Sequence, residues 1–145
     1  MKEVSSGVLL WRYRSQGVKE FFVVSPGGPL WTDKYNWGPP KGQMEDNEDP
    51  WTTASREFTE ETGQYLEGTK EDYIYHGPIK QRKGKTVHIF SRQYIIDILP
   101  GDCFSNTFTW IDGKEYPEIG HYAWLTLDEI GGHSPGAYLN LMAGI

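Results

Sequence analysis

Cysteine is nearly absent from this chain. Cys103 stands alone, so neither an internal disulfide nor a cysteine-based zinc site can be built, and a reducing compartment is the simplest setting. No apolar run approaches the roughly 18 residues that a membrane span requires. Residues 1–6 are polar and lead into no apolar segment of signal length, so a soluble, cytoplasmic protein is expected. Positive charge is also short. The 14 Lys and Arg face 20 Asp and Glu, a formal net charge of -6, which removes the broad cationic surface that supplies most non-specific affinity for nucleic acid. One small phosphorylated ligand stays compatible with that balance. His76, His88, His121 and His133 lack the spacing of a zinc hydrolase, and no glycine-rich phosphate loop of the P-loop form occurs. Cys103 has no basic neighbour in sequence to activate it as a nucleophile.

With 145 residues, 37% hydrophobic and 14% aromatic, the chain holds enough material for one core, and a single domain over residues 1–145 is expected. Apolar runs at 8–11 and 21–24 are joined across Ser15-Gln16-Gly17, the pattern of a β-hairpin. From Ser25-Pro-Gly-Gly-Pro29 through Trp31, Asp33 and Tyr35 to Pro39-Pro40, proline and glycine are too frequent for a regular element, which predicts a long surface loop. A helix over about 50–62 follows. Asp49 can cap it, Pro50 suits the first helical position and Gly63 suits the C-terminal cap. Strands are predicted at 73–76, 86–98 and 122–125, and Thr126 or Asp128 opens a short helix. Strands on both sides of one strong helix imply an α/β or α+β layer fold. Most of Trp11, Phe21, Phe22, Phe90, Trp110 and Trp124 are assigned to its core.

The chemical signal lies on the predicted helix. Glu57, Glu60 and Glu61, three and four positions apart, share one arc of its surface. Like charges so placed disfavour the helix by a few tenths of a kcal/mol per pair, and they sit at its negative end. Trp51, Ala54 and Phe58 form a separate apolar stripe that would pack on a sheet and hold the carboxylates at its edge. A solvated acidic face would account for three glutamates alone. A hard divalent cation, Mg²⁺ or Mn²⁺, is the natural compensation if they act together. Arg56, four residues before Glu60, can orient it. Lys41, Lys80, Arg82 and Lys85 are candidate phosphate-binding cations, and each also reads as a solvated surface charge. His88 reads as a half-buried strand histidine with a structural partner, the alternative being a group that lines the pocket.

Ahead of the helix, Trp37-Gly-Pro-Pro-Lys-Gly42 forms a turn. The full run is Gly42, five residues, Glu48, seven residues, then Arg56-Glu57-Phe58-Thr59-Glu60-Glu61-Thr62-Gly63. It resembles the Nudix box at every fixed position. Phe58 and Gln64 stand where that pattern favours aliphatic residues, and Pro39 where relatives often carry an aromatic or aliphatic one. Ser25-Pro-Gly-Gly-Pro29, Gly77-Pro-Ile-Lys-Gln81, Gly84-Lys-Thr-Val-His88, Ser105-Asn-Thr-Phe108 and Tyr116-Pro-Glu118 look like a bacterial subgroup of predicted nucleoside triphosphate pyrophosphohydrolases. The segment from Trp37 to Gly42, with Glu118 six residues before Trp124, is similar to diadenosine polyphosphate hydrolases.

The resemblance implies an α/β/α sandwich with a mixed sheet. It also implies Mg²⁺- or Mn²⁺-dependent hydrolysis of a nucleoside diphosphate linked to another group, with a nucleoside triphosphate or dinucleoside polyphosphate as the favoured substrate. Glu57, Glu60, Glu61 and Glu118 would be catalytic and metal-binding, with Glu57 and Glu118 the candidate general bases. Gly42, Glu48, Arg56 and Gly63 would support them. A nucleotide-sensing module without turnover is an alternative, as is hydrolysis of RNA 5′ ends, which the acidic balance disfavours. Oligomeric state and base preference are not legible in the sequence.

Overall fold

The computed structural model describes residues 3–31, 34–94 and 97–145. In chain order the elements are β1 (Val4–Tyr13), β2 (Lys19–Pro26), β3 (Lys41–Gln43), α1 (Pro50–Thr62), β4 (Ile74–Lys80), β5 (Thr86–Gln93), β6 (Phe108–Ile111), β7 (Lys114–Pro117), β8 (Ile119–Leu125), α2 (Leu127–Ile130) and α3 (Gly136–Gly144). The main sheet runs β4-β5-β1-β2-β8, with β3 also paired to β1; β6 and β7 form a separate hairpin. Pairing of β1 with β5 is parallel and every other pair is antiparallel, so the sheet is mixed.

The central strands are apolar on both faces because layers cover both. Val8 and Leu10 of β1, with Phe22 and Val24 of β2, point toward Ala54 and Phe58 of α1. Their alternates, Leu9, Phe21 and Val23, pack with Ile130 of α2 and Tyr138 and Met142 of α3. Continuous apolar runs are what a doubly covered strand requires, and the result is the expected α/β/α sandwich.

The β1–β2 hairpin turns where Gln16 and Gly17 take φ of 72° and 78°. Its strands pair only at the closed end, from Trp11 opposite Phe21 to Tyr13 opposite Lys19. Farther along they part, and β3 fills the gap beside Ser5, Ser6 and Gly7. Gly7 allows this: a Cβ there would lie 2.5 Å from the Pro40 carbonyl oxygen. The turn carrying Lys41 and Gly42 is thereby stitched into the sheet next to α1.

Four expectations are corrected. The strand predicted over 86–98 ends at Gln93, one residue before a last ladder bond from the Tyr94 amide to the Trp11 carbonyl at 2.7 Å; residues 95 and 96 lie outside those described. The strand predicted at 73–76 starts at Ile74 and runs on to Lys80, with a register shift between Tyr75 and Pro78 where Gly77 takes φ of 78°. The predicted surface loop sends Trp37, Pro39 and Pro40 inward; Asp33 falls outside the described residues. Trp110, assigned to the core, is 68% exposed, since β6 and β7 make a two-stranded ribbon whose outer face nothing covers among the described residues. The sequence reading did not anticipate β3, the β6–β7 ribbon or α3.

Candidate active site

Helix α1 forms where its end signals predict. The Asp49 carboxylate accepts the Thr52 amide at 2.8 Å, and Gly63, in the left-handed region at φ 72°, returns its N–H to the Thr59 carbonyl at 2.8 Å. Phe58 is fully buried against Phe22, so a larger ring serves the aliphatic position. The Gln64 amide donates to the Thr62 hydroxyl at 3.0 Å, and the helix exit is intact.

The buried stripe turns the opposite arc toward β3. Arg56 grips Glu48 with two parallel bonds, Nε to Oε2 at 2.8 Å and Nη2 to Oε1 at 2.9 Å, and its Nη1 reaches Glu57 at 2.9 Å and Glu60 at 3.1 Å. Glu48 also accepts from the Thr53 hydroxyl and the Glu45 amide, each at 2.9 Å. The Arg56 guanidinium and then the Glu45 amide hold its carboxyl down to about 2. Glu48 and Arg56 are therefore a supporting pair beside the carboxylate cluster.

Glu61 is 7% exposed and its Oε1 accepts the Lys41 amide at 3.0 Å. Burial pushes its carboxyl up to about 8; the Lys41 amide opposes this, and the charges of Glu57 and Glu118 add to it. Burial, followed by the charge of Glu60, raises Glu57 to about 7 against the pull of Arg56. Gly42 makes the cluster possible, because a Cβ at that position would stand 1.9 Å from the Glu57 carboxyl carbon. Glu118, in the link between β7 and β8, accepts from the Thr107 hydroxyl at 3.0 Å. The strand after it returns to the cluster, where the Tyr122 hydroxyl donates to the Glu61 carbonyl at 2.5 Å.

Among the described residues, no three His, Cys, Asp or Glu side chains already converge as a metal cage. Glu60 and Glu57 lean on Arg56, Glu61 on the Lys41 amide and Glu118 on Thr107. The donor set nevertheless fits a hard divalent cation. It is all oxygen, and Arg56 is the one cation in ion-pair contact with Glu48, Glu57 and Glu60 among the described residues. Burial first, and then the charge of neighbouring carboxylates, raises Glu57 to about 7 and Glu61 to about 8.

Lys41 and Glu61 line a 250 Å³ cleft together with Trp37, Gln81, Lys85 and Tyr138. Gln81 and Lys85 also line a wider groove of 780 Å³, whose other cations are Lys80, Arg82 and Lys83. The fold therefore brings Lys41 and Lys85 to the Glu61 cleft and sets Lys80 and Arg82 on the adjoining groove. Lys85 also pairs with Glu3 at 3.8 Å. His88 has its structural partner, the Tyr75 hydroxyl at 2.6 Å from Nδ1. Burial pushes the Cys103 thiol up to about 11, which removes it as a nucleophile. Sequence reasoning missed Trp37, Gln81 and Tyr138 as lining residues. Trp37 and Gln81 were visible only as parts of quoted motifs, and nothing local marks Tyr138.

The NUDIX domain family model matches residues 3–140. The chain therefore belongs to the NUDIX domain family and is an enzyme of the Nudix pyrophosphohydrolase class. Its structure is similar to an Ap4A hydrolase from C. elegans in a binary complex, at 22% identity and TM-score 0.57, covering 97% of this chain and 90% of that one. It is also similar to a MutT NUDIX hydrolase from Burkholderia pseudomallei, at 13% identity and TM-score 0.67, covering 100% and 98%. The NUDIX domain of Shewanella oneidensis NrtR, complexed with ADP ribose, shares 13% identity and TM-score 0.64 over 99% of this chain and 85% of that one. A search of curated proteins returned no match.

Proposed function

We propose that this enzyme hydrolyses a pyrophosphate linkage in a small nucleotide, a nucleoside triphosphate or a dinucleoside polyphosphate, with Mg²⁺ or Mn²⁺ held by Glu57, Glu60, Glu61 and Glu118. The observation that carries this reading is the half-buried glutamate cluster of α1, opening beside a cleft that Lys41 and Lys85 also line. Bound there, a divalent cation would neutralise phosphate charge and acidify water. The chain's own residues supply the rest. Glu57 or Glu118 accepts the proton of the attacking water. Lys41 and Lys85 hold phosphate oxygens in the Glu61 cleft, and Lys80 and Arg82 extend the positive lining for a longer polyphosphate. Arg56, fixed by Glu48, aims Glu57 and Glu60.

Two of the similar solved structures are an Ap4A hydrolase and a domain holding ADP ribose, and a nucleotide ligand suits both. The complete glutamate set favours turnover over sensing, since binding without turnover would not need it. The test is a screen of nucleoside triphosphates, dinucleoside polyphosphates, nucleotide sugars and ADP-ribose, with and without Mg²⁺ and with products identified. Metal-dependent release of a nucleoside monophosphate from triphosphates or dinucleoside polyphosphates is expected. Binding without products under every metal condition would overturn the reading in favour of a sensing module.

A further inference from the structure

Among the described residues, the buried hydroxyls of Ser134 and Tyr138 close no hydrogen bond, although the Gln81 side chain stands beside that of Tyr138. Ser134 precedes α3, and Tyr138 lies in its first turn. Only Tyr138 lines the cleft that holds Glu61. Tyr138 is 2% exposed, and a phenol so enclosed ordinarily finds a partner, because leaving it unpaired forfeits its bonds to water. The fold keeps it there by several contacts. The Trp37 amide donates to the His133 carbonyl at 2.7 Å, tying the loop that carries Trp37 to the segment just before α3. A side chain at Gly38 would meet the Tyr138 ring at 3.4 Å, so glycine lets that loop lie against it.

The other walls of this cleft are flat and apolar at Trp37, Pro39 and Ile119, with the Gln81 amide among the lining groups. Its volume of 250 Å³ suits one planar heterocycle and part of a sugar. Lys41 and Lys85 share the lining and carry the charge that phosphates need. We infer that the Tyr138 hydroxyl is a specificity-determining group whose missing hydrogen-bond partner is supplied by the nucleobase of the substrate, seated against Trp37. This deepens the hydrolase reading and rests on it for the identity of the occupant. A site built to bond a polar base edge rejects an occupant that cannot make the bond, because its own hydroxyl is then left unpaired.

The test is Tyr138→Phe, which removes the hydroxyl and keeps the ring. Thermal stability no lower than wild type is expected, since an unpartnered hydroxyl is lost. KM for the preferred nucleotide should rise about 3- to 10-fold, the range one neutral hydrogen bond supplies, and the differences in KM among the four bases should narrow. Equilibrium dialysis with adenosine, guanosine, cytidine and uridine 5′-monophosphates reads the same contact without turnover. Metal-dependent turnover by both forms with identical KM values and identical base ranking would overturn the assignment of Tyr138 and leave the hydrolase reading standing. Absence of turnover, with monophosphate binding that Tyr138→Phe weakens, would uphold Tyr138 and defeat the hydrolase reading. No turnover and no binding of any monophosphate by the wild type would overturn both.

Discussion

At the scale of single residues, Gly42 and Glu61 show how closely the site is built. Gly42→Ala would place a methyl group inside the Glu57 carboxylate position, so Glu57 must swing away. A fall in kcat/KM of at least about 100-fold is expected, with the protein still folded by circular dichroism, because misplacing one catalytic group costs that much. Glu61→Gln should lower turnover by orders of magnitude without loss of thermal stability. Its carboxyl, raised to about 8, is largely protonated at neutral pH in the absence of metal, and the amide is close to it in shape and polarity. Wild-type rates in Glu61→Gln would place the chemistry elsewhere. Both residues were legible in the sequence, since the box fixes their type and spacing. The reason Gly42 must be glycine was not legible, because the Glu57 carboxylate reaches it only across the contact between β3 and α1.

At the scale of the element, α1 is the most locally determined part of the molecule. Asp49→Ala removes the acceptor of the Thr52 amide and should cost about 1 kcal/mol of unfolding free energy by urea titration. Phe58→Ala leaves a hole between α1 and Phe22 and should cost about 3–5 kcal/mol, enough to abolish folding in a marginal background. The Glu48 and Arg56 pair adds a pH dependence. Because Arg56 holds the Glu48 carboxyl down to about 2 from an ordinary 4.5, its stabilisation is complete above pH 4.5 and is lost as pH falls toward 2. Urea titrations across that window should therefore show the stability gap between wild type and Glu48→Gln closing as pH falls. These features were readable because caps, stripe and glutamate row all lie within residues 49–63. Strand ends were read less well. The strand predicted to reach 98 stops at Gln93, and no neighbour in sequence announces that.

At the scale of the whole molecule, metal binding should couple to folding. A cation that binds only the folded glutamate cluster stabilises by about 2.7 kcal/mol at 100 times its dissociation constant. Mg²⁺ or Mn²⁺ should therefore raise the midpoint of thermal unfolding, and the rise should vanish in a variant carrying both Glu57→Gln and Glu61→Gln. An equal rise in that variant would mean the ion binds elsewhere. The two-sided burial of β1 and β2, forecast as a layered fold from the order of elements and as an α/β/α sandwich from the family resemblance, determines how α1 and α3 meet the same sheet from opposite faces.

The amino-acid order by itself determined the box helix, its caps, the row of carboxylates and the family to which they belong, because these depend on spacing within a dozen or so residues and on helical geometry. Tertiary structure alone decided the cleft. Trp37, Gln81 and Tyr138 come from a proline-rich loop, the residue after β4 and helix α3, far apart in the chain. They meet because β3 fills the gap between β1 and β2 and because α3 must bury its apolar side chains on the face of the sheet that α1 does not cover.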